Sequence, residues 1–341
     1  MTGDKSGREP GPRDLVRSPT MGYDTSFHPV DVNLVATRLL PYIAGHGGDG
    51  DLDDLIARAV LLRRVRFRAK SWALGALEAF EKRGIDGPDP DLIVWGRPFF
   101  IVADEPGQVV ADVLRYLATP PDDVDELARE MVARIDPGLA GTVRPDPDGT
   151  LPDDAELARS LSRRMRVLRA SAAALAGGVA TVRDPDGDEE FEAAVLLARE
   201  VPLSVLELAA ALTPGWMSRG YTWPTSLCAA AGVPATGFAA PEALFAPLRE
   251  LFPGIGWFSE PTITENYMVG GLVAPGDVAR VRAELSARRD ALLEPPGREG
   301  WAGIAADNLL KIDEALALAG HLGFGFAEAT EVYSGFEGEL N

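Results

Sequence analysis

Residues 21–30 read MGYDTSFHPV, and residues 324–333, close to the other end of the chain, read FGFAEATEVY. In the first stretch Tyr23, Thr25 and Phe27 alternate with Asp24, Ser26 and His28, the two-residue period of a strand with one buried face, and Pro29 ends it. An isolated strand leaves its backbone donors and acceptors unpaired, and the segments that follow this one read as helices, which cannot supply partners. The second stretch is strand-like and follows a helix rich in Leu and Ala. The two are therefore expected in one sheet, adjacent or nearly so. That expectation decides the fold class: α+β, helix-rich, with a small mixed or antiparallel sheet that includes N- and C-terminal strands.

Working outward, Asp31 caps a helix whose Val32, Val35, Ala36, Leu39, Leu40 and Ile43 form one apolar stripe. Residues 53–83 start with acidic side chains and end at Lys82, Arg83 and Gly84, charges placed correctly for the helix dipole and a glycine C-cap. At about 1.5 Å per residue this helix would run roughly 45 Å. Residues 92–102 read as one or two strands around Gly96 and Pro98, and further helices are expected over 104–117, 122–135 and 152–176. Two similar turns, TVRPDPDG at 142–149 and TVRDPDG at 181–187, precede acidic helix starts. Shorter helices are expected over 189–200, 202–212 and 241–251, a short strand with Gly270 and Gly271 over 266–273, and helices over 275–293 and 302–320. The regions implied are a disordered N-terminal tail (1–20), a helix-rich α+β region (21–140), a helical middle (141–215) and a C-terminal α+β region (216–341) sharing its sheet with the N-terminal strand.

The chain of 341 residues is 46% hydrophobic and 25% charged, an ordinary globular composition. Its net charge of -19 opposes a phosphate backbone, so no nucleic-acid partner is expected. The Arg-rich stretches at 63–70 and 163–169 are expected to pair with the chain's own surplus carboxylates. Only Lys5, Lys70, Lys82 and Lys311 are lysines among 33 basic residues, a bias typical of a GC-rich bacterial genome. The single cysteine, Cys228, forms no intrachain disulfide, and residues 1–20 lack the apolar core of a secretory signal, which points to the cytoplasm. The longest uncharged run, 220–241, is interrupted by Pro224, Gly232, Pro234, Gly237 and Pro241, so no membrane partner is expected.

Motifs for chemistry are sparse. No phosphate-binding loop or nucleophile elbow occurs, and neither the acidic run at 45–54 nor that at 184–188 meets the requirements of a calcium loop. No metal site is expected, and no cofactor is implied. Asp24, Ser26 and His28 project from one side of the first strand, but residues two apart cannot hydrogen-bond in the sequence a triad needs. A His/Asp pair lining a cleft is the enzymatic reading, a hydrolase-type cluster joining His28 and Asp24 to Glu265 or Glu328. The other reading is an aromatic recognition surface at Trp216, Tyr221, Trp223, Trp257 and Tyr267, interleaved with Phe258, Glu260, Glu265 and Asn266. This second reading makes the chain a regulatory or binding module for another protein or a small ligand.

The ten residues 21–30 resemble the opening of a group of uncharacterised bacterial proteins. The resemblance implies that Met21 is the true start, and it carries over neither an activity nor a site residue.

Overall fold

The computed structural model describes residues 24–84, 87, 89–146, 149–219, 222–295 and 302–332. The expected tail at 1–20, and Tyr221, lie outside them. Six strands are defined among these residues: β1 (Asp24–Val30), β2 (Thr181–Arg183), β3 (Glu190–Glu192), β4 (Trp216–Arg219), β5 (Val269–Val273) and β6 (Gly325–Thr330). Four form one sheet in the order β4-β1-β6-β5, every pair antiparallel. The N- and C-terminal strands are adjacent at its centre, Thr25 opposite Thr330 and Val30 opposite Gly325. The strand runs through Pro29 to Val30 because β4 pairs with β1 only as far as Phe27, leaving no ladder there for the missing N–H to break. β2 and β3 form a separate hairpin, so the 181–187 turn belongs to two short strands.

The helices are α1 (Val32–Leu34), α2 (Leu40–Ile43), α3 (Asp53–Arg83), α4 (Pro106–Ala118), α5 (Val124–Ile135), α6 (Asp154–Ala176), α7 (Ala193–Leu212), α8 (Pro224–Ala230), α9 (Ala246–Leu251), α10 (Val278–Ala287), α11 (Arg289–Leu293) and α12 (Ala302–Leu322). α3 spans the expected residues and ends at Gly84 in the left-handed region. Residues 189–212 differ from expectation: β3 occupies the start, and α7 continues through Pro202 as one helix.

Residues 92–102 are also corrected, since they open with a π-helical turn, Asp91–Gly96, in which the Arg97 N–H reaches back to the Leu92 carbonyl. Pro98 supplies the reason. It has no N–H, and in an α-helix its ring would strike the carbonyl four residues earlier. A second π turn, Val35–Leu39, joins α1 to α2 beside Pro41 for the same reason.

Register divides the sheet into two faces. Phe27, Trp216, Phe326 and Glu328 share one, which packs on α12 through Leu309, Ile312, Ala315, Leu316 and Ala319. Ser26, His28, Val30, Ala327 and Ala329 share the other, and its apolar members pack on Leu197, Val201, Val205 and Leu208 of α7. Both cores draw on the N-terminal, middle and C-terminal parts of the chain.

Candidate functional site

The candidate residues fall into three places, two inside the molecule and one at its surface. His28 is completely buried on the α7 face, its ring so close to Gly215 that a Cβ there would sit 2.3 Å from Nδ1. Burial, and then the charge of Arg66, push its pKa down to about 3, so the imidazole is neutral near pH 7. A neutral ring sealed from solvent is a packing residue. The exposed polar strand face that alternation alone allows is not formed here.

On the α12 face, Glu314 accepts hydrogen bonds from Arg97 Nε at 3.1 Å, Arg97 Nη2 at 2.6 Å and Trp216 Nε1 at 2.8 Å. Arg97 also donates to the carbonyls of Ile101 and Ala103, and the ion pair is almost wholly inaccessible. Lys70 is buried beside it and donates to the carbonyls of Ile93 and Arg97. The Ile93 carbonyl needs such a donor, because the residue that would continue the π ladder to it is Pro98. Burial holds the Lys70 amine well below its ordinary range, with Arg66, Arg97 and Lys311 adding to the effect. Trp216 is therefore a core residue whose N–H is used internally.

Glu328 shares that face but forms its own network. Its carboxylate accepts from the Thr225 N–H at 3.0 Å, from the Thr225 hydroxyl, and from the Gly271 N–H at 3.0 Å. The pairing of β5 with β6 shifts register between Val269 and Leu272, which places Gly270 and Gly271 in the irregularity. There the Gly271 N–H is free of the ladder and points to Glu328, and a Cβ on Gly270 would lie 2.7 Å from Glu328 Oε1. Gly270 is required by the carboxylate, whereas a Cβ on Gly271 would meet the Phe238 ring at 2.9 Å, the Thr225 methyl at 3.0 Å and the Pro261 carbonyl at 3.1 Å. Thr225 Oγ1 lies 2.5 Å from Thr262 Oγ1, which accepts from Trp223 Nε1 at 3.2 Å. Burial pushes the Glu328 pKa up to about 7 against the opposing effect of those donors. Cys228, on the same short helix, is raised to about 11 by burial and by Glu328, and is an inert thiol.

The third place is the end of the sheet where β1 begins and β6 finishes. Asp24 and Glu331 face each other there, the Glu331 N–H donating to the Asp24 carbonyl at 2.9 Å. Tyr267 immediately precedes the β5 approach, is 62% exposed, and has φ 57; Glu331 has φ 62. Left-handed backbone is rare for any residue other than glycine, and costs about 1–3 kcal/mol where it is held. The loop before β5 winds round the Met268 sulfur, which accepts from the N–H groups of Thr264 and Glu265. Glu265 is half-exposed with Arg199 at 3.7 Å, and the Arg199 guanidinium stands 5.9 Å from the Phe258 ring. Ser259 Oγ and Asn266 Oδ1 are buried atoms without a hydrogen-bond partner among the described residues.

The structure thus separates the hydrolase-type candidates. His28 and Glu328 point to opposite faces of one sheet, Asp24 lies at the sheet end, and Glu265 lies on the surface loop. Of the aromatic candidates, Trp216 and Trp223 are buried, Trp257 stacks on Phe245 with centroids 5.2 Å apart, and Tyr267 is open to solvent. The Arg-rich stretches pair internally, Arg64 with Asp154, Arg68 with Asp125, Arg163 with Asp184 and Arg166 with Asp186. No cluster of three or more metal-ligating side chains occurs among the described residues, and none of their helices is long and apolar enough to cross a membrane.

Sequence reading passed over Arg97, Glu314, Thr225 and Thr262, and placed Lys70 in a basic stretch paired with carboxylates, whereas it is buried and donates to backbone carbonyls. One signal was present: a Gly-Gly pair inside a strand marks a close approach. The chain matches no protein-family model, no curated protein and no solved structure.

Proposed function

We propose that this protein is a bacterial cytoplasmic recognition module, which docks a basic segment of another protein on the 261–268 loop with Tyr267 as the anchor. The observation that carries this reading is Tyr267 itself, an aromatic side chain 62% exposed on a backbone held at φ 57. Nothing in folding favours that combination, since glycine would remove the strain and a polar residue would suit the exposure. Strain kept at an exposed aromatic is a feature of sites that present a side chain to a partner. The surroundings set the partner's charge. Glu265 lies two residues before Tyr267, and Glu331 follows Thr330, whose N–H donates to the Met268 carbonyl, in a chain of net charge -19; the neighbouring Arg199 is engaged by Glu265 and Phe258. A partner rich in Lys and Arg gains both charge complementarity and a cation–π contact with the Tyr267 ring.

The test selects peptides from a random displayed library against the purified protein, then measures their binding to Tyr267→Ala and Tyr267→Gly. Selected peptides should be enriched in Lys and Arg and lose at least tenfold in affinity to both variants. Tyr267→Gly should also be more stable than the parent in urea, by about 1 kcal/mol, as the strain is released. Selection of no basic peptide, or equal binding by Tyr267→Ala, would overturn the reading.

A further inference from the structure

Besides the Met268 contacts, a chain of hydroxyl groups ties the recognition loop to the interior. Glu328, on the central strand β6, bonds the Thr225 hydroxyl; Thr225 Oγ1 stands 2.5 Å from Thr262 Oγ1; and Thr262 lies at the foot of the loop that carries Tyr267. Glu328 and Thr225 are buried, whereas Thr262 is partly exposed, so the chain leads from the sheet to the loop.

The direction of the hydrogen bonds in this chain is fixed by the proton on Glu328. With the carboxylate ionised, the Thr225 hydroxyl spends its only proton on Glu328, so the proton between the two threonines comes from Thr262. With one proton taken up from solvent, the acid O–H donates to Thr225 Oγ1, and Thr225 turns to donate to Thr262. Thr262 Oγ1 then accepts from both Thr225 and the Trp223 indole, and its own O–H turns out of the chain toward solvent, at the residue where the loop begins. Both arrangements satisfy Glu328 and Thr225, and they differ at Thr262.

Among the described residues no charge competes for this control. Facing Glu328 are the Thr225 hydroxyl and Cys228 thiol of α8, the Gly270 and Gly271 backbone of β5, and Phe27 across the register in β1. Arg288 acts on the Cys228 thiol, while the buried charges of α12 are occupied elsewhere, Glu314 by Arg97 and Lys311 by Asp307, Asp89 and Asp91. Among the described residues, only burial and the hydrogen bonds from Thr225 and Gly271 set the state of Glu328.

We propose that Glu328 is a proton-operated latch on the recognition loop, its protonation reversing the Thr225–Thr262 hydroxyl chain and so altering the setting of Tyr267. The proposal rests on the recognition reading for its biological consequence, though not for its physical content. The test is an amide and indole nitrogen–proton NMR titration of the protein without a partner, from pH 5.5 to 8.5. The Thr225 and Gly271 amides, the Trp223 indole N–H and the Tyr267 amide should shift together with one midpoint near 7. All four should be flat in Glu328→Gln. Thr262→Val, which keeps the carboxyl but breaks the chain, should leave the Thr225 and Gly271 titrations in place and abolish that of Tyr267. Flat Thr225 and Gly271 amides in the parent protein, or a Tyr267 titration unchanged by Thr262→Val, would overturn the latch. Because no partner is present, either result is independent of the peptide selection.

Discussion

Substituting Glu328 by Gln and, separately, His28 by Asn should tilt the pH dependence of stability in opposite directions by the same amount. Glu328 rises from 4.5 to about 7 on folding, so its contribution to stability is complete below 4.5 and is lost as the pH climbs to 7. His28 falls from 6.5 to about 3, so its contribution is complete above 6.5 and is lost as the pH drops. Between pH 4.5 and 6.5 the folded chain holds a proton on Glu328 and none on His28, while the unfolded chain holds one on His28 and none on Glu328. The two slopes cancel. Removing the carboxyl leaves the histidine's slope, so stability of Glu328→Gln should rise with pH relative to the parent by ~1.4 kcal/mol per unit. Removing the imidazole should give the reverse. Across the window each difference amounts to about 2 kcal/mol, since both titrations are only half complete at its ends. The assay is urea unfolding followed by circular dichroism at half-unit pH steps. Slopes are compared rather than levels, so the packing cost of each substitution drops out. Glu207, which burial also raises to about 7, is present in all three proteins and subtracts away. Parallel slopes for the parent and Glu328→Gln would mean that the carboxyl is ionised inside the folded protein, and would refute the reasoning.

Two further substitutions test the interior. Arg97→Met strips Glu314 of two donors and leaves a buried carboxylate with Trp216 as its remaining bonded side chain, so it should cost about 3–5 kcal/mol in urea unfolding; a loss below 1 kcal/mol, on the order of an exposed pair, would contradict the burial of the ion pair. Gly270→Ala places a methyl group 2.7 Å from Glu328 Oε1 and 2.8 Å from the Ile263 backbone nitrogen, and should lower stability by about 1–3 kcal/mol while shifting the Gly271 amide resonance; unchanged stability would show that the strand irregularity is loose enough to absorb it.

What the sequence disclosed and what it withheld divide along the range of the forces involved. The period-two pattern at 24–28, the acidic start and Gly84 end of α3, and the need of one isolated strand for another are local or pairwise facts, and from them the class of fold and the pairing of β1 with β6 could be read. The failures have local causes that were visible but read for another effect. Pro98 and Gly96 suggested a broken strand, whereas the proline widened a helical turn and its missing N–H left a carbonyl for Lys70. Pro202 suggested two helices, whereas α7 is buried along enough of its length for packing to outweigh one lost hydrogen bond.

The site residues were harder for a different reason. A strand's alternation says which residues share a face but not which face meets which helix, and Glu328 sits across the register from Phe27 rather than from His28. That single parity separates the groups a hydrolase reading needed to join. The aromatic cluster dissolves residue by residue: Trp216 lies opposite Phe27 and is drawn to Glu314, Trp223 is drawn to Thr262, Trp257 stacks on Phe245, and Tyr267 alone of the described aromatic candidates combines an exposed ring with a left-handed backbone. Hydrophobic patterning cannot distinguish a tryptophan that buries its ring from a tyrosine that presents one. The distinction is made by the backbone, and left-handed geometry at a bulky residue has no signature in composition.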